Sequence, residues 1–208
     1  CILPRLYKNQ ELLPSLEALG HLEKLISDPK ITGIKPLREI KNTLLSKPKL
    51  IKLGAILYPL RKRSHSALTE QQQKRSRKNQ IGKLLSELRA SNAEIDFITA
   101  MITCWHLASV SELKFAGSHP NQFQLYKFVH QNEDGLIPGL FLHLANRPKL
   151  PTGKQWKTDA ISVAVQNVLA FYFQTYLPAK AKKPLINGND IQQKLKIKPN
   201  PLFTTILY

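Results

Sequence analysis

The carboxylates of this chain are not spaced like those of a metal-dependent transferase. Nucleotidyl transfer needs two carboxylates close enough to hold divalent cations between the nucleophile and the phosphates, typically a pair of Asp one residue apart on a strand. None of the Asp residues forms an Asp-x-Asp pair; they are Asp28, Asp96, Asp134, Asp159 and Asp190. Glu94 and Asp96 point to different helix faces, and Glu133 and Asp134 fall in a predicted turn, where side chains cap the backbone. The sequence therefore predicts no catalytic residue and no metal site in this chain.

The histidines, glycines and cysteines also lack a catalytic pattern. The six His include no His-x-x-x-His and no His-Asp pair that would begin a metal site. The nine Gly are scattered, with no phosphate-binding loop and no Gly-x-Ser-x-Gly elbow. Cys1 and Cys104 are far apart, so we expect two thiols in a reducing compartment such as the cytoplasm.

Charge is the strongest signal of function in the sequence. Thirty-one Lys and Arg stand against fourteen Asp and Glu, which gives a formal charge of +17. Such an imbalance favours a polyanionic partner, and nucleic acid is the first candidate. No apolar stretch reaches about 18 uninterrupted residues, so we expect no membrane span.

Two basic regions are predicted to contact RNA. Gln71 to Ser86 holds five basic residues and no acid, and three more precede it; this region comprises Arg61, Lys62, Arg63, Lys74, Arg75, Arg77, Lys78 and Lys83. The second region is the C-terminus, where residues 160–208 contain a single acid; it contributes Lys180, Lys182, Lys183, Lys194 and Lys198. The alternative for both regions is a solvated face, although such faces usually carry both signs.

Apolar residues recur at helical spacing through the chain, and this periodicity predicts an all-α fold. Ser91 and Glu94 form a predicted capping box, and the helix that follows would bury Ile95, Ile98 and Trp105. Asn132 to Gly139 is predicted to be a polar turn that separates a helical body (residues 1–130) from a smaller helical tail (residues 131–208). Pro178 to Pro184 is predicted to be a basic linker to a last helix at about Asn189 to Leu195. Tyr172 and Tyr176 end the preceding helix, as core residues or as rings that stack on a base.

The C-terminal segment 184–190, PLINGND, is followed by Leu195, Ile197, Lys198, Pro199, Pro201 and Leu202. This pattern resembles the tail motif of bacterial class II CCA-adding tRNA nucleotidyltransferases and poly(A) polymerases. Residues 88–95 resemble the start of that family's body-domain helix, and residues 50–60 resemble its apolar core helix. The resemblance implies that the body and tail hold tRNA by backbone contacts, and it assigns contacts to Asn187, Gly188 and Lys198. Asp190 is expected to brace the last helix, because a carboxylate repels phosphate.

The chain departs from the family pattern at three places. Tyr58 and Pro59 stand where many relatives have a His-Asp pair, and Asn200 replaces a Gly. The catalytic head, with its Gly-rich turn and Asp-x-Asp carboxylates, has no counterpart. We therefore expect a tRNA-binding body and tail whose head precedes Cys1, with Mg²⁺ and CTP or ATP needed only by that head. The alternatives are a free-standing RNA-binding or assembly protein, and a helical scaffold whose charge serves solubility.

Overall fold

The computed structural model describes residues 9–59, 81–117 and 120–182, and within these ranges it contains helices and no strand. The prediction of an all-α fold is confirmed. Helices α1 to α3 precede the first gap, α4 includes residues 81–87, and α5 to α9 follow it. Their bounds are α1 Asn9–Ser27, α2 Leu37–Ser46, α3 Pro48–Leu57, α5 Asn92–Phe115, α6 Gln122–Asn132, α7 Leu136–Ala145, α8 Ala160–Phe171 and α9 Leu177–Ala181.

Capping residues and prolines set the helix starts. The Asp28 side chain accepts a hydrogen bond from the Lys30 N–H and begins a short 3₁₀ turn, Pro29–Thr32. That turn ends at Gly33, whose left-handed φ of 67° suits glycine. Asn121 and Asp159 cap α6 and α8 in the same way. These short polar residues predict helix starts because their side chains satisfy amide groups that the first turn leaves unbonded.

Helix α7 is the centre of the core. All of its residues are buried, and it packs against α1, α2, α5 and α8. It lies so close to α5 that a Cβ on Gly139 would approach the Cys104 Cβ to 2.6 Å, and a Cβ on Gly135 would approach the Ala100 carbonyl carbon to 2.4 Å. The two glycines therefore permit close packing of the helices.

The predicted polar turn at Asn132 to Gly139 is wrong. A single 3₁₀ turn, Glu133–Gly135, joins α6 to α7, and the helix resumes at Leu136. Pro138 lies in the first turn of α7, where its missing N–H costs no helical hydrogen bond. The described residues on both sides of the expected boundary at 130/131 share one hydrophobic core, to which α5 and α7 both contribute.

The predicted basic linker at Pro178 to Pro184 is also wrong over its described part. Residues Tyr172–Tyr176 form a turn of π-helix after α8, and α9 continues through Pro178 to Ala181. A π turn has i to i+5 hydrogen bonds. This wider turn lets the chain stay helical where a proline would otherwise clash with the preceding turn.

Candidate nucleic-acid interface

Most of the predicted RNA-contacting residues lie outside the described part of the chain. These are Arg61, Lys62, Arg63, Lys74, Arg75, Arg77, Lys78, Lys183, Asn187, Gly188, Lys194 and Lys198, together with the bracing residue Asp190. Three predicted contacts are described: Lys83 is exposed on α4, Lys180 is exposed on α9, and Lys182 follows α9. For all of these residues, contact with RNA stays a prediction.

The capping box of α5 is confirmed. The Ser91 N–H donates to Glu94 Oε2 at 2.8 Å, and the Glu94 N–H donates to Ser91 Oγ at 3.4 Å. The hydrogen bond from the Ser91 backbone, followed by that from its hydroxyl, lowers the pKa of Glu94. Ser91 and Glu94 therefore have a structural role at the start of the helix.

Lys180 forms an ion pair that its sequence context did not predict. Its Nζ lies 2.6 Å from Glu133 Oε1 and 2.8 Å from Oε2, and the Tyr176 hydroxyl donates to Glu133 Oε2 at 2.9 Å. The hydrogen bond from Lys180 lowers the pKa of Glu133, and the same bond raises the pKa of Lys180. Tyr176 itself is buried, so its ring has a core role rather than a surface for a base.

Two segments far apart in the sequence meet in the fold. Residues 28–41 and 146–159 together hold eight basic residues against three acidic ones. The Gln166 side-chain amide donates to the Thr32 carbonyl at 3.4 Å and to the Trp156 carbonyl at 3.5 Å, so it bridges the segments. We call their exposed basic residues the composite basic surface: Lys30, Lys35, Arg38, Lys41, Lys149 and Lys157.

A partly buried ion pair joins the two ends of the second segment. Arg147 Nη1 donates to Asp159 Oδ2 at 2.8 Å, and the same oxygen accepts from the Ser162 N–H at 2.8 Å and from its hydroxyl at 2.7 Å. Burial raises the pKa of Asp159, but the bonds from Ser162 and the charge of Arg147 outweigh it and lower the pKa overall. The Arg147 guanidinium also lies over the Trp156 ring, 5.8 Å from its centroid.

The start of the same segment is held by Tyr58, the residue that follows α3. The buried Tyr58 hydroxyl donates to Asn146 Oδ1 at 2.6 Å, and the Tyr58 ring meets the Trp105 ring edge to face at 4.7 Å. Tyr58 thus links α3, α5 and the end of α7. Its contacts are those of a core residue.

One helical turn before that segment, His143 is buried. Desolvation is the largest cause that lowers the pKa of His143 to about 4, the charge of Arg147 adds to it, and Asp159 opposes it. His143 is therefore neutral near pH 7. Within residues 9–59, 81–117 and 120–182, no group of three or more His, Cys, Asp or Glu is placed to hold a metal ion. No helix in those ranges is long and apolar enough to cross a membrane.

Comparisons with models of protein families, with curated proteins and with solved structures found no match. The sequence does not indicate the composite basic surface, because neither of its segments has a dense run of one charge. Each alternates cations with prolines, glycines or apolar residues, and 104 residues separate the two segments. The signal that the sequence does offer is the number of cations in the loops that precede capped helix starts.

Proposed function

We propose that this chain binds RNA, with tRNA as its ligand, as the body and tail portion of a tRNA nucleotidyltransferase or poly(A) polymerase family protein. The observation that supports RNA binding best is the bridge by Gln166, which joins two segments that are each rich in exposed cations. The tail motif of residues 184–190 supports the choice of tRNA by resemblance. In this proposal the chain binds RNA and transfers no nucleotide by itself.

The electrostatic argument concerns phosphate groups. Exposed lysines and arginines on adjacent segments neutralise phosphates and release their counterions, and this term is independent of base sequence. Arg147 and Asp159 pair with each other, which leaves seven cations and two acids in the two segments. The composite basic surface therefore keeps an excess of positive charge that a phosphate backbone complements.

A double charge variant and a matched control test this surface. Lys35→Ala combined with Lys157→Ala removes one cation from each segment. Each lost phosphate contact makes the slope of log affinity against log salt less negative by about 0.7 to 0.9. We therefore expect the slope of the double variant to be less negative than that of wild type by about 1.5. Lys52→Ala is the control, because Lys52 already pairs with Glu23 at 2.6 Å. Its slope should stay within about 0.3 of wild type.

Anisotropy titration of a labelled tRNA from about 50 to 200 mM salt measures these slopes. Equal slopes for the double variant and the control would contradict the proposed site. A second assay tests the enzymatic part of the proposal: incubation with tRNA, Mg²⁺ and CTP or ATP should add no nucleotide at the 3′ end. Incorporation by this chain alone would contradict the prediction that its carboxylates form no catalytic pair.

The scaffold hypothesis has one observation in its favour. Some cations are already paired within the protein, as in Lys52 with Glu23 and Lys180 with Glu133. Absent or salt-independent RNA binding would favour it over the proposed function.

A further inference from the structure

Helix α6 carries three rings and one lysine along one of its faces. Phe123, Tyr126, Lys127 and His130 follow the i, i+3, i+4, i+7 spacing of one helix face, and we call them the aromatic stripe. The opposite face carries the buried residues Leu125, Phe128, Val129 and Asn132. Phe123, Lys127 and His130 are exposed, whereas Tyr126 is partly buried and packs against the edge of the core.

Phe123 is the unusual member of the stripe. This residue is 73% exposed, more than any other large apolar residue whose exposure the structure describes. The position is nevertheless well fixed, because Asn121 Oδ1 accepts from the Phe123 N–H at 2.9 Å at the start of the helix. An exposed apolar ring in this first turn is unfavourable in water and adds nothing to the packing of the core.

The next rings along the stripe are already ordered. Tyr126 and His130 stack with an interplanar angle of 6° and a centroid distance of 5.6 Å. Tyr176 supports both from the π turn, at 5.9 Å from Tyr126 and with its hydroxyl 3.2 Å from His130 Nδ1. Ordered rings lose little conformational freedom when a ligand binds them.

The charge around the stripe suits a nucleic-acid strand. Helix α6 contains Lys127 and no Asp or Glu. The nearest carboxylate along the chain, Glu133, is paired with Lys180 from α9. Asp134 is the exposed acid that follows. Aromatic rings beside a lysine, with the closest acid already paired, form the kind of surface on which bases stack while a phosphate meets the lysine.

We propose that the aromatic stripe binds unpaired bases of single-stranded RNA, with one base on Phe123 and the neighbouring strand following Tyr126 and Lys127. The inference rests on the proposed RNA binding and adds a second site with a different chemistry. The composite basic surface contacts phosphates of any RNA, whereas the stripe requires bases that are not stacked in a duplex.

Substitutions at Phe123 test the stripe in the full chain. We compare affinities for a 12-nucleotide oligouridine and for a 12-base-pair RNA duplex. Phe123→Ala is expected to weaken oligouridine binding by roughly 5- to 150-fold, the range for loss of one stacked base, and to leave duplex binding within about twofold. The salt slope for oligouridine should not change, because stacking releases no counterions.

Three controls make the result specific. Phe123→Tyr keeps a ring and should restore affinity to within about twofold, whereas Phe123→Leu, apolar but not aromatic, should not restore it. Leu45→Ala removes an exposed apolar side chain on α2, outside the stripe, and should have no effect.

Other outcomes overturn the inference in distinguishable ways. An equal loss for both RNAs, or no loss for oligouridine, removes the stripe from RNA binding while the proposed function stands. A change of oligomeric state in sedimentation with unchanged RNA affinity assigns the stripe to a protein contact. If wild type binds neither RNA, the proposed function fails together with this inference.

Discussion

Replacing Asp159 with Asn removes one charge from the ion pair that closes the segment of residues 146–159. Asn retains the side-chain oxygen that caps α8, so the bond from the Ser162 N–H survives. The change therefore isolates the interaction with Arg147, whose guanidinium would stay buried without its carboxylate.

The size of the effect follows from burial of the two partners. The Arg147 side chain is 7% exposed and that of Asp159 is 31% exposed. Breaking a fully buried pair by removing one partner costs about 3 to 5 kcal/mol, and solvent near Asp159 reduces this. We expect Asp159→Asn to lower the free energy of unfolding by about 2 to 3 kcal/mol. Asp159→Ala also loses the cap and should cost about 1 kcal/mol more.

Urea unfolding at pH 7, followed by circular dichroism, measures these differences. Adding Arg147→Met to Asp159→Asn removes the uncompensated charge, so the double variant should be more stable than Asp159→Asn alone. A cost below about 0.5 kcal/mol for Asp159→Asn, in the range of ordinary surface substitutions, would refute the argument. A double variant less stable than Asp159→Asn would refute it as well.

The remaining predictions concern helix packing, a buried histidine and a basic segment. Gly139→Ala should lower the free energy of unfolding by about 1 to 3 kcal/mol, because the added methyl group forces α5 and α7 apart. Gly20→Ala, with open space around its Cβ, should raise the free energy of unfolding by about 0.5 to 1 kcal/mol. Equal stabilities of the two variants in urea would contradict this packing. Because the pKa of His143 falls from 6.5 to about 4 on folding, the unfolded state binds that proton first, and stability should fall by up to about 3 kcal/mol from pH 6.5 to pH 4. His143→Leu should lack this part of the decline, and an unchanged pH profile would contradict it. Glu at four basic positions should weaken binding to unrelated tRNAs by similar factors in filter-binding assays, because phosphate contacts carry little sequence information; unchanged affinity would move the site elsewhere. Those positions are Lys74, Arg75, Arg77 and Lys78.

Helices and their starts were predictable because the signals are local. The buried face of α5 and the Ser91–Glu94 capping box follow from spacing within one or two turns, and both are confirmed. The wrong prediction of a turn came from residue types that occur both in turns and in packed helices. Gly135 and Pro138 are typical of turns, yet here one permits close packing and the other lies in a first helical turn.

The candidate interface was predictable only in its chemistry. The charge of +17 indicated a polyanionic partner, but it did not show which cations lie together. The contact between Thr32 and Trp156 through Gln166 joins segments that no local pattern relates. Lys180 lies in a dense basic region of the sequence, and in the fold it pairs with Glu133. That pairing depends on how the π turn positions α9, which no local pattern indicates.

The most direct test of RNA binding is the salt dependence of tRNA affinity for the unmodified chain. About five phosphate contacts predict a straight line of log affinity against log salt with a slope of roughly −3 to −5. A slope near zero, or no binding at about 50 mM salt, would contradict the account.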